Sequence, residues 1–163
     1  MHTNYDVMGM ADLSADYLEL QNRKVLSVTT ETEEGEQGFG RVGKLPEAMT
    51  LRQCGLFVKK ALGLQDVRLY GDPEQNVEIA AVCTGSGKSM ISDVMKHGAD
   101  VYITGDIDHH TGIDAAAQGL AVIDAGHYGT EYIFMKAMQQ KMKENFPDLK
   151  VSCACAESPY ILI

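Results

Sequence analysis

A chain of 163 residues, 45% of them hydrophobic, falls within the roughly 100–200 residues of one domain and carries enough apolar side chains to bury a core. Its 23 acidic residues against 14 basic ones give a formal net charge of −9, which works against a nucleic-acid footprint, because neutralising phosphates needs a basic face, and disfavours anionic membranes for the same reason. No run approaches the roughly 18 apolar residues of a spanning helix and no basic-then-apolar leader opens the sequence, so the expectation is a soluble, cytoplasmic protein that binds neither nucleic acid nor membrane.

In chain order, "HTNYD" at 2–6 comes first, where an extended segment would present His2, Asn4 and Asp6 on one side. Composition alone reads it as a polar start. "DLSADYLELQ" at 12–21 reads as a helix and "KVLSVTTE" at 24–31 as a strand. The acidic, glycine-rich "ETEEGEQGFGRVGKLPE" at 31–47 reads as a solvated loop. "TLRQCGLFVKKALGL" at 50–64 is an amphipathic helix with Thr50 as its N-cap, and "VRLYG" at 67–71 is a short strand.

From Val77 onward, β-branched apolar runs alternate with helical patterns. "VEIAAVC" (77–83) precedes "SMISDVMKHG" (89–98), "DVYIT" (100–104) precedes "HTGIDAAAQG" (110–119), and "LAVID" (120–124) precedes "TEYIFMKAMQQKMKENF" (130–146). "LKVSCAC" (149–155) reads as a closing strand. This alternation marks successive βαβ units, hence an α/β fold of layered type with a mainly parallel or mixed sheet covered by helices, in one domain spanning residues 1–163. The helix from about Tyr128 to Phe146 carries an apolar stripe of Ile133, Phe134, Met138 and Met142 and is stopped by Pro147. The four cysteines, Cys54, Cys83, Cys153 and Cys155, form no C-x-x-C pair and read as reduced thiols, with Cys153 and Cys155 as small core residues on one face of the last strand.

In an open parallel sheet, ligands gather beyond the carboxyl ends of the strands. The turns there are "TGSGKS", "TGDIDHH" and "DAGHYGTE". In the third, His127 and Glu131 stand four apart, so on a helix starting near Gly126 an imidazole and a carboxylate share one face, with Asp124 closing the strand before them. In the second, Asp106 or Asp108 suits a helix N-cap with His109 exposed, while His110 is a candidate ligand or proton carrier facing the third turn. The first turn resembles a phosphate-binding loop superficially. Counting back five positions from Gly87 for the first glycine of that loop lands on Val82, inside the strand, so the nucleotide-loop pattern is absent. Gly85, Ser86 and Gly87 remain candidates for approaching a substrate phosphate or carboxylate, and Lys88 reads as incidental.

"HTNYD" (2–6), "AVCTGSGKSMI" (81–91), "DVYITGDIDHH" (100–110) and "DAGHYGTE" (124–131) occur in the order found in the NIF-three-like proteins, and on these motifs the chain resembles that family, whose members are dinuclear-metal, ring-forming hexamers also described as GTP cyclohydrolase I type 2 homologues. The resemblance implies that Asp6, His127 and Glu131 are metal ligands, that His2 lies close to the metal and that His110 borders the site. It also implies one or two divalent ions per chain, of Zn, Mn, Fe or Co given a carboxylate and imidazole set without thiolate, and a homo-oligomer, by resemblance a hexamer. Family members carry an adjacent histidine pair in an H-H-P context upstream of H-T-N-x-D, and the sequence here begins at Met1, so a fragment or truncated form with an incomplete two-metal centre is expected. The function expected is hydrolysis of a nucleotide-like or phosphoester small molecule, with His2 and His110 as catalytic proton carriers; the alternative is a non-catalytic, metal-binding, ring-forming assembly protein.

Overall fold

A computed structural model describes residues 9–33 and 35–154. Its elements are α1 (Met10–Tyr17), β1 (Gln21–Thr32), β2 (Gly35–Thr50), α2 (Leu51–Leu62), β3 (Arg68–Tyr70), β4 (Asn76–Ser86), a 3₁₀ turn (Lys88–Met90), α3 (Ile91–Lys96), β5 (Val101–Gly105), α4 (His109–Ala117), β6 (Ala121–Asp124), α5 (His127–Glu131) and α6 (Ile133–Asn145). The six strands form one sheet in the order β1-β2-β4-β5-β6-β3. β4, β5 and β6 run parallel, whereas β1, β2 and β4 are joined antiparallel and β3 closes the far edge antiparallel to β6. The sheet is therefore mixed, with its parallel part confined to the three βαβ strands that the alternation from Val77 onward marks.

Side-chain alternation along these strands feeds two cores, one on each face of the sheet. Ala80, Val82, Val101, Ile103, Ala121 and Ile123 face α1 and α2, against Ala15, Leu18, Leu51, Cys54, Val58 and Leu62. Ala81, Cys83, Tyr102 and Val122 face the other way, against Val94, Ala115 and Leu120 of the α3 and α4 segments. Because both faces are covered, β5 and β6 are buried along their whole length, which is why they read as unbroken apolar runs.

The α2 boundaries follow from local chemistry. Thr50 Oγ1 accepts from the Gln53 amide while Gln53 Oε1 accepts from the Thr50 amide, a reciprocal capping box, and Gly63 ends the helix at a left-handed φ of 69°. α1 is held down by a buried guanidinium: Arg41 of β2 donates from Nε and Nη2 to the two Asp12 carboxylate oxygens, each at 2.7 Å, and from Nη1 to the carbonyls of Gly38 and Gly40. With its charge paired and its donors used, Arg41 can stand 6% exposed.

Three expectations need correction. The segment 31–47, read as a solvated loop, lies largely within the β1–β2 ribbon: β2 pairs with β1 on one side and with β4 on the other. Its glycines mark close backbone approach rather than a turn, since a Cβ on Gly43 would lie 2.6 Å from the Gln21 carbonyl oxygen and one on Gly40 2.7 Å from that of Val82. Pro46 is accommodated where the β2–β4 register shifts between Lys44 and Met49, so its missing N–H breaks no ladder. Second, the run 149–154 is irregular rather than a strand, and Cys153 is half-buried outside both cores, its thiol donating to the Met135 carbonyl; Cys155 lies outside the described residues. Third, the helix read over about 128–146 is two, α5 and α6, broken at Tyr132.

Candidate functional site

The carboxyl ends of β4, β5 and β6 bring the three turns together. Gly105 ends β5 so close to the third turn that a Cβ there would lie 2.6 Å from the Gly126 carbonyl carbon and the His127 nitrogen; only glycine fits. Gly126, at φ 72°, turns the chain into α5, so that His127 and Glu131 fall at the helix's first and last residues. Gly85, also at φ 72°, sits opposite, its missing Cβ 3.0 Å from Glu131 Oε1 and 3.3 Å from His127 Nε2. Any larger residue at 85 would crowd these two side chains.

The polar geometry is specific. His127 Nδ1 is 2.8 Å from Asp106 Oδ2; a carboxylate accepts there, so Nδ1 is the donor, and in the neutral imidazole Nε2 keeps its lone pair. That nitrogen faces Glu131 Oε1 at 3.4 Å. Two ligands about 2.1 Å from a shared ion at a tetrahedral angle stand about 3.4 Å apart, so the pair fits a divalent metal, and a carboxylate behind the histidine is the usual support for such a ligand. Among the described residues no group of three or more His, Cys, Asp or Glu side chains gathers to hold an ion. The third ligand implied by resemblance, Asp6, and the neighbouring His2 lie outside the described residues.

Asp106 itself sits at a left-handed φ of 54°, a conformation uncommon for a residue with a side chain. It was legible in the sequence only as a possible cap, a role that falls to Asp108, whose carboxylate accepts from the Thr111 amide at the start of α4. Asp108 also pairs with Lys88, the lysine of the first turn, at 2.5 Å. His109 is exposed, as expected. His110 is exposed in the first turn of α4; its recorded ring contact is with His109, and among the described residues no hydrogen bond or ring contact joins it to His127 or Glu131.

The glycine turn is tied into the protein. The Gly85 amide donates to Thr130 Oγ1 at 3.0 Å and the Gly87 amide to Thr104 Oγ1 at 3.1 Å, while the Tyr102 hydroxyl donates to the Gly87 carbonyl. Thr130 and Thr104 are the residues that motif reading missed; their signal was a β-branched hydroxyl in each of two buried positions beside a glycine turn. Of Gly85, Ser86 and Gly87, the glycines are buried and Ser86 is exposed at the end of β4. Next to His127 and Glu131 opens a cleft of about 540 Å³, lined also by Met10, Tyr128, Tyr132, Phe134 and Met135. Tyr128 and Tyr132 stack with ring centroids 5.7 Å apart. The imidazole and carboxylate are each about half exposed, open to this cleft rather than sealed in the core.

A mixed sheet with helices on both faces, whose parallel strands end on a carboxylate-supported histidine and a glutamate, defines an α/β protein with a polar site at the strand ends. The family model described as Duf34/NIF3 (NGG1p interacting factor 3) matches residues 1–159, and the chain belongs to that family. It is 42% identical over 115 residues to the GTP cyclohydrolase 1 type 2 homolog of Bacillus subtilis (strain 168), covering 71% of this chain and 31% of that protein. It is 34% identical over 144 residues to the GTP cyclohydrolase 1 type 2 homolog of Clostridium acetobutylicum, covering 87% of this chain and 53% of that one. The chain thus spans between about a third and about half of the length of these curated relatives. Among solved structures, a Bacillus cereus protein related to NIF3 superposes with a TM-score of 0.86 over 99% of this chain and 71% of that chain; at 20% identity it shows the fold alone. Reduced HcgD from Methanocaldococcus jannaschii superposes with a TM-score of 0.69 at 29% identity, over 88% of this chain and 54% of that chain. Among the described residues no helix is long and apolar enough to cross a membrane.

Proposed function

We propose that the chain binds a divalent metal ion through His127 and Glu131, with Asp6 as a further ligand by family resemblance, and acts as a metal-dependent hydrolase of a nucleotide-like or phosphoester small molecule. The observation that carries the metal reading is the 3.4 Å separation of His127 Nε2 and Glu131 Oε1, with Nδ1 engaged by Asp106. When bound, a divalent ion supplies Lewis-acid polarisation of a substrate oxygen. Nitrogen and carboxylate ligands without thiolate suit Zn, Mn, Fe or Co.

The remaining work falls to the chain's own residues. Gly85 keeps the space over His127 and Glu131 open, and the turn Gly85–Ser86–Gly87 forms the wall at which a substrate anion would lie, with Ser86 as its polar contact since the two glycine amides are already engaged. The cleft beyond His127 and Glu131 would seat the rest of the substrate and exclude water with Met10, Phe134 and Met135. His2 and His110, placed near the site by family resemblance, are the candidates for proton transfer. A second reading, a ring-forming assembly protein with a hexamer as its form, is supported by large apolar side chains left exposed on and just after α6: Met135, Met138, Phe146 and Leu149.

The test is elemental analysis of the purified chain together with a hydrolysis screen over nucleotides and phosphoesters. Stoichiometric divalent metal, lost in His127→Ala along with any activity, is the expected result. Metal-free protein whose properties His127→Ala leaves unchanged would overturn the hydrolase reading, and a monomer in solution would count against the assembly.

A further inference from the structure

Behind His127 lies a second carboxylate that touches neither the cleft nor the ion proposed for it. Asp124, the last residue of β6, is 2% exposed, and its Oδ1 accepts two backbone amides: that of Asp106 at 3.1 Å and that of Gly126 at 3.0 Å. One amide belongs to the second turn and the other to the third. A single buried oxygen therefore fastens together the two loops that carry Asp106 and His127. Its other oxygen, Oδ2, is buried with no hydrogen-bond partner among the described residues; the nearest cation is Arg68 Nη2 on the neighbouring edge strand, at 3.6 Å, too long for a hydrogen bond. A buried carboxylate left half-satisfied calls for a reason.

We infer that Asp124 is a positioning residue for His127, acting through Asp106. The Asp106 amide that it accepts belongs to the one residue of the second turn held at left-handed φ, a strained state that persists only where its surroundings fix it. Fixing it there aims the Asp106 carboxylate at His127 Nδ1, 2.8 Å away. The Gly126 amide, held by the same oxygen, sets where α5 begins and so where both His127 and Glu131 stand. Asp124 thereby chooses the tautomer of His127 and the spacing of the pair without contacting either side chain. Asp106 is the intermediate link, and its removal should release the tautomer alone.

The inference rests on the proposed metal site for its functional consequence, so two readouts separate them. The first is the ¹⁵N spectrum of the His127 ring in the metal-free full chain at about pH 8, where imidazole is neutral. The second is Zn²⁺ or Mn²⁺ affinity by calorimetry. The wild type should show His127 protonated at Nδ1. Asp106→Ala should lose that preference and bind metal about 10–100-fold more weakly, the range seen when a supporting carboxylate behind a metal-bound histidine is removed. Asp124→Asn, whose amide oxygen can still accept both amides, should keep the tautomer and stay within about threefold in affinity, whereas Asp124→Ala should lose the tautomer as Asp106→Ala does and bind metal at least as weakly, because it also frees the Gly126 amide that sets the spacing of the pair. Should Asp124→Ala not fold, hydrogen exchange in the wild type decides: the Asp106 and Gly126 amides should be protected like those of the sheet, and rapid exchange of either overturns the inference. It is equally overturned if a folded Asp124→Ala keeps the wild-type tautomer. If the tautomer follows these expectations but no variant or wild type binds metal, the positioning role stands and the metal reading falls.

Discussion

The two halves of the sheet are built on opposite principles. In the parallel block β5 and β6 bury every residue and β4 buries its central run from Ala80 to Cys83, so these strands are specified by apolar content. The antiparallel ribbon of β1 and β2 is uneven: β2 is buried at its centre, from Gly40 to Gly43, whereas in β1 only Val25 and Leu26 are buried and its outer half, from Val28 to Thr32, carries charge and threonine. What holds the ribbon is the ladder to β4, glycines that let backbones approach, the Arg41–Asp12 pair beneath it, and the few side chains it sends into the cores, Leu26, Val42 and Leu45. One half is a core that happens to be a sheet; the other is a sheet with little core of its own. The candidate site belongs wholly to the first.

The largest test of that contrast is truncation on each side. Ile103→Ala, at a position with no exposure, should cost about 2–5 kcal/mol, while Val28→Ala, at a position 45% exposed, should stay within about 0.5 kcal/mol, both read from urea midpoints. Equal losses would erase the distinction. A smaller effect separates a ribbon from a loop. Gly40, at φ 62° with no room beside Val82 and Leu26, should lose on the order of 1–3 kcal/mol on substitution by Ala, whereas a loop glycine would tolerate the change. Thermal denaturation of Gly40→Ala near the wild-type midpoint would restore the loop reading of this segment. At the junction of the two halves, Thr50→Ala removes one arm of the capping box that starts α2 where β2 ends and should cost about 1 kcal/mol by the same measurement.

The smallest effect concerns pH. Lys88 beside Asp108, helped by the Thr111 amide and hydroxyl, holds the Asp108 carboxyl well below the usual carboxylate range. A lowered value in the folded chain means that folding favours the ionised form. The stabilisation is complete above about pH 3.9, the ordinary aspartate value, and is lost as pH falls from there through the lower folded value. Asp108→Asn should therefore be slightly less stable than the wild type at neutral pH and converge with it as pH falls below the ordinary aspartate range, which flattens the acid side of the profile. Because the pair is exposed, added salt should shrink the difference between the two proteins.

This contrast also explains what the sequence discloses. Runs such as "DVYIT" and "LAVID" announce buried strands because both faces need apolar side chains, and "GHYGTE" places His127 and Glu131 on one helical face by spacing alone. The 31–47 segment hides its strand, since half of the buried positions are glycines that imitate a turn, another is Arg41, and only Val42 and Leu45 supply an apolar side chain. "LKVSCAC" errs in the other direction: it has strand composition, but 149–154 finds no partner strand among the described residues. Asp106 was visible and its role was not, because the choice between capping α4 and supporting His127 is settled by a φ angle and by Asp124, eighteen positions further along. The amides of Gly85 and Gly87 looked available for an anion, and the hydroxyls that occupy them come from β5 and α5, at distances in sequence that no local pattern records.

The strand order has a consequence in time. β3 is made about 50 residues before β6, yet β6 is its only neighbour in the sheet among the described residues. During synthesis from the N-terminus, β3 has no strand to pair with until Asp124 has emerged, and closing so long a loop is slow relative to local pairing. The β1–β2 ribbon, whose strands are neighbours in sequence and pair up to Thr32 and Gly35, can form at once. The edge nearest the candidate site is thus the last part of the sheet to assemble, and Arg68 reaches Asp124 only when that final strand docks.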